Sequence, residues 1–302
     1  MSQHIRVIVN PASGRGRGAR RLPALRAAFE AAGIRDIRVT DAPGDEARLA
    51  RQALDDGCAT VVAAGGDGTW SKVAAVLAGS DCRLALVAAG TGNDFVKTLG
   101  IPATDPVAMA RLALEGPDER IDMGRVGDYP FLNIAGFGFD ASVASAMLDI
   151  DWLSGDALYL YASARQLFAF RGLEIDMAPD EAPGFRNRLL LAICNGRRFG
   201  GSFVIAPNAA LADGLLDAIA VGDATPLRRA ALFGAATTGA HLGYREVAEM
   251  RSPSFTLRFR TPPLFQADGE LRQAVDTDVE VACVPRALRI VTSGAGSTPP
   301  TP

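Results

Sequence analysis

A six-residue run, Gly65-Gly66-Asp67-Gly68-Thr69-Trp70, holds the chemistry most in need of explanation in this chain. Its glycines allow positive φ and a close approach of the main chain to a ligand. A helix is expected to follow, since apolar residues recur at Val73, Val76 and Leu77. Thr69 is the expected cap, and the helix's first N–H groups and dipole would face an anion. Asp67 is out of place in a plain anion site, because a carboxylate repels phosphate. Its presence points to phosphoryl transfer aided by a cation, or to a proton acceptor. A turn of this composition can also do no more than cap a helix, so the other loops decide.

Three of those loops carry residues of the same kind. Asn10-Pro11-Ala12-Ser13-Gly14 follows the first apolar run, Thr40 ends the second, and Gly90-Thr91-Gly92-Asn93-Asp94 follows the fourth. Gly14-x-Gly16-x-x-Ala19 has the spacing of a dinucleotide fingerprint. That fingerprint follows its strand directly, however, whereas here Asn10–Ser13 intervene. Further along, Asp213 stands before Gly214 among backbone carbonyls that could hold a hard cation with it. An Asp-Gly hairpin turn has the same appearance. Asp268-Gly269-Glu270 follows an apolar strand and offers another carboxylate.

An alternating β-α pattern would position these loops, and the chain supplies one as far as Leu114. Strands are expected at Ile5–Val9, Ile37–Thr40, Cys58–Ala63 and Arg83–Val87, with helices from about Ala19 to Ala31, at Glu46–Leu54 and after each glycine turn. The fold class is therefore α/β plus β, beginning with an open, mostly parallel α/β nucleotide-binding domain. Ligands of such sheets sit beyond the carboxyl ends of the strands, which sets Asn10, Thr40, Gly65 and Gly90 on one rim. From about Ile121 the segments become short, apolar and separated by turns, the pattern of an antiparallel β-sandwich. Helical stretches at Asp156–Phe170 and Pro226–Leu242 interrupt it, and Tyr159, Tyr161, Phe168 and Phe170 are expected to face its core. The domains are placed at 1–122 with a returning strand at about 287–293, and at 123–286. Residues 294–302, rich in Gly, Ser and Pro, are expected to be a disordered tail.

Composition narrows the function. Of the 302 residues 48% are hydrophobic and 22% charged, as in globular proteins, and the net charge of −3 gives no general attraction to nucleic acid. Only two histidines are present, which excludes a His-rich zinc site. Cys58, Cys82, Cys194 and Cys283 lack metal or redox spacing and are expected to be reduced thiols, implying a cytoplasmic protein. No apolar run is long enough to span a bilayer, and the first residues enter a strand without a signal-peptide core. A lipid substrate would therefore be met from the water side.

Together these motifs resemble a family. The chain is similar to bacterial lipid kinases of the diacylglycerol kinase catalytic-domain superfamily, which also includes sphingosine and ceramide kinases. The resemblance spans nearly the whole chain and rests on NPASG (10–14), GGDGT (65–69), GTGNDF (90–95), NGRRFGGS (195–202), PNAALADG (207–214) and DGE (268–270). It implies an active cleft between the two domains, ATP as phosphate donor, Mg²⁺, and a lipid acceptor met transiently at the inner membrane surface, with homodimerisation common among relatives. Nucleotide-binding positions carried over are Thr40, Gly65, Gly66, Asp67, Gly68, Thr69, Trp70, Ser71 and Thr91; the loops read above add Asn10 and Asn93. The family's magnesium site matches Asp213 with the backbone carbonyls of Ala210 and Leu215. Its proton acceptor matches Glu270, and Asp67 matches an acid credited with metal binding or base duty. Ser71-Lys72 stands where relatives often have Asn-Glu, and Val96-Lys97 where Ala-Arg is common. The turn itself is intact, but Lys72 reverses a charge in the helix that follows. An NAD kinase would use the same glycine turn on a ribose hydroxyl, and a catalytically inactive nucleotide- or lipid-binding relative would keep it without transfer.

Overall fold

The computed structural model describes residues 4–90, 92–101, 105–153, 155–179, 184–201 and 203–294. Thr91, Ser202, the Tyr159 side chain and the tail at 295–302 lie outside those residues. The chain forms two compact units, 1–123 with 210–214 and 284–302, and 124–209 with 215–283. Residues 210–214 and 284–286, expected in the sandwich, thus belong with the first unit. Their tether is Asp122, which is fully buried. Its N–H donates to Leu211 O (2.6 Å), and its carboxylate accepts from Gly214 N (2.7 Å) and Arg286 N (2.7 Å).

In the first unit, strands β1 (Ile5–Val9), β2 (Asp36–Val39), β3 (Thr60–Gly65) and β4 (Arg83–Ala88) alternate with helices α1 (Ser13–Ala31), α2 (Asp45–Asp55) and α3 (Asp67–Leu77); α4 (Asp94–Leu99) and α5 (Pro106–Glu115) follow. The sheet is parallel, β1 lying between β2 and β3, and β3 between β1 and β4. Every residue of β1, β3 and β4 is buried, as a sheet covered on both faces requires. Trp70 is also fully buried, and its indole N–H donates to Ala63 O (3.1 Å), seating α3 on β3.

The second unit contains the end of β5 (Asp118–Val126), then β6 (Tyr129–Phe131), β7 (Ile134–Gly138), α6 (Phe139–Leu148), α7 (Gly155–Ala169), β8 (Leu173–Ala178), β9 (Arg186–Cys194), β10 (Arg198–Phe199) and β11 (Phe203–Val204). It continues through β12 (Leu216–Gly222), α8 (Pro226–Ala236), β13 (Val247–Ser252), β14 (Ser254–Phe259), β15 (Leu264–Ala267), β16 (Glu270–Gln273) and the start of β17 (Asp278–Val291). The last residues of β17 pair parallel with β4 in the first unit. Pairing within the second unit is antiparallel, with β9 against β7, β8 and β12, and β15 between β7 and β16. The period of two sorts the side chains of β9. Leu191 and Ile193 enter a sandwich core with Phe137, Leu257 and Val281, while Leu190, Ala192 and Cys194 enter a second core with Phe139 of α6 and Leu232 of α8.

Two expectations for α7 fail. Phe168 is 71% and Tyr161 42% exposed, on its outer face, where Tyr161 meets Trp152 edge-on. Phe170 does pack on the second core, edge-on to Phe139. No helix among the described residues is long and apolar enough to cross a membrane.

Candidate active site

The carboxyl ends of β1, β2 and β3 and the turn after β4 are stitched together by their own residues. Asn10 N donates to Ala64 O (2.9 Å), Thr40 N to Val9 O (2.9 Å), and Ala89 and Gly90 N to Gly65 O (2.7 and 3.1 Å). The Asn10 amide donates to Glu46 Oε1 (2.8 Å) and Thr69 Oγ1 (3.0 Å), and its carbonyl oxygen accepts from Ala12 N. Thr69 is therefore not the helix cap. Helix α3 starts at Asp67 after an extended Gly66, so the Thr69 hydroxyl is left to bridge to β1.

After β1 a short turn at Ser13 opens α1, but regular helix begins only near Arg17, close to the expected start at about Ala19. Gly14, Arg15 and Gly16 interrupt that helix with φ of 58°, 58° and 79°. At Gly14 a Cβ would lie 2.2 Å from Ala89 O, so the loop is pressed against the second glycine turn. The two turns also touch each other, since a Cβ on Gly90 would lie 2.6 Å from Gly66 Cα and 2.7 Å from Asn93 Oδ1. Gly90→Ala is expected to force them apart at an overpacking cost of about 1–3 kcal/mol. Thermal unfolding checks it, and an unchanged Tm would show that the turns do not need their contact.

Asp67 lies at this junction. Its Oδ1 accepts from Phe95 N (3.1 Å), the second residue of α4, so the acid of one glycine turn ties down the helix after the other. Asn93 stands before α4 with φ 51°, its amide donating to Gly90 O (3.0 Å) and its buried Oδ1 having no hydrogen-bond partner among the described residues. Ser71 and Lys72 are half-buried one turn into α3. Lys97, another departure, pairs with buried Asp94 (3.2 Å). Trp70 can serve a ligand here only through its main chain.

Asp213 is exposed on the loop that Asp122 pins, with Ala210 in the same unit and Leu215 in the other. Among the described residues one cluster of three side-chain ligands occurs, His4, Asp36 and Cys58, away from this loop. Asp36 there already binds the guanidinium groups of Arg6 (2.8 Å) and Arg38 (2.6 Å), which leaves little reason for a cation.

The Asp268-Gly269-Glu270 turn divides its labour. Asp268, at φ 50°, accepts three buried backbone N–H groups, from Leu132 (2.6 Å), Asn133 (2.9 Å) and Ile134 (3.0 Å). Glu270 has a partly exposed carboxylate that accepts from the Tyr129 hydroxyl (3.0 Å) and pairs with Arg272. The Arg272 guanidinium lies 4.6 Å from the centre of the Tyr129 ring, and burial pushes the Tyr129 phenol up from its ordinary value.

Beside the turn, inside the second unit, is an apolar cavity of about 230 Å³. Its walls include Phe139, Val143, Met147, Leu190, Phe199 and Phe233, and it reaches Gly269. Asp140, also in the lining, is only partly exposed, and desolvation pushes its carboxyl from 3.8 to about 6. Between those values the unfolded chain holds fewer protons, so this group lowers stability as pH rises and does so fully near pH 7. Each pH unit is worth about 1.4 kcal/mol, making the cost about 3 kcal/mol. The stability difference between wild type and Asp140→Asn should therefore shift by that order between pH 4 and pH 7 in denaturant titrations. A difference independent of pH would contradict it.

Asp122, Asp140 and Gln266 went unnoticed in the sequence. The one available signal was a lone polar residue inside an apolar stretch, as in RIDMG, GFGFDASVA and LFQAD.

The chain is similar to known proteins along nearly its whole length. Residues 4–126 match the diacylglycerol kinase catalytic domain family, and residues 133–292 the YegS C-terminal NAD kinase beta sandwich-like domain family. A diacylglycerol kinase of Mycobacterium tuberculosis (strain H37Rv) is 31% identical over 295 residues, 95% of this chain and 94% of that one. A Pseudomonas putida protein named "Probable lipid kinase YegS-like" is 39% identical over 190 residues, 61% of this chain and 63% of that one. The crystal structure of a diacylglycerol kinase from Bacillus anthracis str. Sterne superposes with a TM-score of 0.72 at 19% identity, covering 97% of this chain and 98% of that one.

Proposed function

This chain belongs to the diacylglycerol kinase and YegS-like family of lipid kinases, and on that premise we propose that it transfers the γ-phosphate of ATP to a hydroxyl of a diacylglycerol-like lipid. The observation that supports the acceptor side is the apolar cavity reaching Gly269, the residue that precedes Glu270 in the chain. An apolar cavity of about 150 Å³ accepts benzene, so one of about 230 Å³ has room for about nine carbons of a hydrocarbon chain. Exposed Trp152, Tyr161 and Phe168 would lie toward the lipid–water interface, where aromatic rings are favoured.

On the donor side, the main chain at 10–16, 65–71 and 90–93 would bind the phosphates of ATP. No side chain caps the start of α3, which leaves its first turn and dipole to an anion. Thr40 and Thr91 would contact the nucleotide. Phosphoryl transfer asks chiefly for alignment and neutralisation of charge. Glu270 would accept the proton of the lipid hydroxyl as its oxygen bonds to phosphorus, and Tyr129 and Arg272 hold that carboxylate in place.

The donors around Asp213, a carboxylate and main-chain carbonyls such as that of Ala210, are all oxygen and suit a hard cation, as does Asp67 for a nucleotide-borne one. Mg²⁺, when bound, would supply charge neutralisation. A panel of lipid hydroxyl acceptors incubated with ATP and Mg²⁺, with products identified by mass, tests the proposal. A lipid gaining one phosphate is expected, and ATP binding with no phosphorylated lipid would overturn it.

A further inference from the structure

Asp140 and Gln266 have no part in the chemistry just described, yet Gln266 is buried, Asp140 is only partly exposed, and each meets the other. Among the described residues Asp140 is the only ionisable side chain in the cavity wall. Its Oδ1 accepts from Ala141 N (2.8 Å) and its Oδ2 from Gln266 Nε2 (3.1 Å). The carboxylate lies directly over Gly136, where a Cβ would fall 1.6 Å from Oδ2, so only a glycine there leaves room for it. Gln266 is 2% exposed, and its remaining amide atom, Oε1, accepts from Gly269 N (2.8 Å).

The hydrogen bonds run in one direction. Gly269 N–H donates to Gln266, and Gln266 NH₂ donates to Asp140, which can only accept while ionised. The end of the run is a turn in which Asp268 and Gly269 both have positive φ, 50° and 88°, immediately before Glu270. Surrounded by Phe139, Leu190 and Ala192, these bonds have little water to compete with them.

We propose that Asp140 and Gln266 are positioning residues, a polar strut that runs from the cavity wall to Gly269 and holds the turn that aims Glu270. They touch neither phosphate donor nor acceptor hydroxyl and act through the backbone of that turn. The proposal deepens the lipid kinase reading and rests on it in its turnover measurement alone.

The direction of the strut supplies a sharp test. In Asp140→Asn the new amide keeps the bond from Ala141 by its oxygen and turns NH₂ toward Gln266. Gln266 must then flip to accept, which aims its own NH₂ at Gly269 N–H, donor against donor. Adding Gln266→Glu restores every bond, because the carboxylate now sits at 266, accepting from Asn at 140 and from Gly269 N–H. Hydrogen exchange at Gly269, read on wild type, the Asp140→Asn single variant and the double variant, follows the strut without any substrate. Turnover on dioctanoylglycerol in mixed micelles follows its effect on Glu270.

Asp140→Asn is expected to raise exchange at Gly269 by at least about tenfold and lower kcat more than it changes KM, with the double variant returning both toward wild type. A side chain that merely fills space would give no such rescue. Unchanged Gly269 exchange in the single variant, or a double variant that stays folded without recovering protection, overturns the proposal. Should the single variant not fold, a double variant that folds with wild-type protection supports it and one that does not overturns it. A wild type that shows the protection pattern and the rescue but phosphorylates no lipid would leave the strut standing and remove the kinase assignment instead.

Discussion

Glu270→Gln should lower turnover by about 10²–10⁴, the usual worth of general-base help, while ATP binding and folding persist. In barrier terms that is about 3–5 kcal/mol. The separation between activity and stability is what makes the variant informative. Glutamine keeps the length and one acceptor oxygen, so the Tyr129 hydroxyl can still donate to it. What goes is the negative charge facing Arg272 and the capacity to take a proton. The Glu270–Arg272 pair is partly exposed on both sides, and pairs of that kind contribute about 0–1 kcal/mol. Steady-state kinetics beside a denaturant titration would therefore show a large loss in kcat against a small loss in stability. Turnover close to wild type would assign the proton to another group.

Asp268, two residues earlier, should behave in the opposite way. Its carboxylate is the partner of three backbone N–H groups at Leu132, Asn133 and Ile134, all buried. Leaving a buried donor unsatisfied costs about 1–3 kcal/mol, so Asp268→Ala should lose at least about 3 kcal/mol of stability. Asp268→Asn retains one accepting oxygen and should lose less. Alanine would also surrender some ease in the left-handed conformation that Asp268 adopts, since Asp tolerates it better than most residues. Chemical denaturation of the pair gives the ranking Ala below Asn below wild type. Equal stability of all three would mean that water satisfies the amides.

The contrast between these neighbours shows what a sequence can carry. The β-α rhythm of the first unit is local information, glycine punctuation between buried strands, and the strands appear where the pattern puts them. The antiparallel second unit was legible for the same reason, in short apolar segments divided by turns. Helix starts were less so. That α3 begins at Asp67 depends on an extended Gly66, and left-handed Gly14, Arg15 and Gly16 delay regular helix in α1, with both turns pressed against the loop at Ala89 and Gly90. Nothing within a few residues encodes that pressure.

Aromatic spacing likewise showed a helix at α7 without telling which face meets the core, and Tyr161 and Phe168 lie on the other one. In the candidate site, Asp67 and Glu270 stand out by residue type. Asp122, Asp140 and Gln266 do not, because their partners lie as far away as Gly214, Gln266 and Asp140 in a chain whose fold must be known first. Asp268 was visible as part of a motif, but its role was hidden. Only the structure shows that it serves the main chain.

The most direct test is the destination of labelled phosphate. The protein, given γ-labelled ATP and Mg²⁺ with diacylglycerol micelles and NAD in the same tube, should place label in the lipid and leave NAD unlabelled. Label in NAD, or label that stays in ATP while the nucleotide is demonstrably bound, would contradict transfer to a lipid hydroxyl.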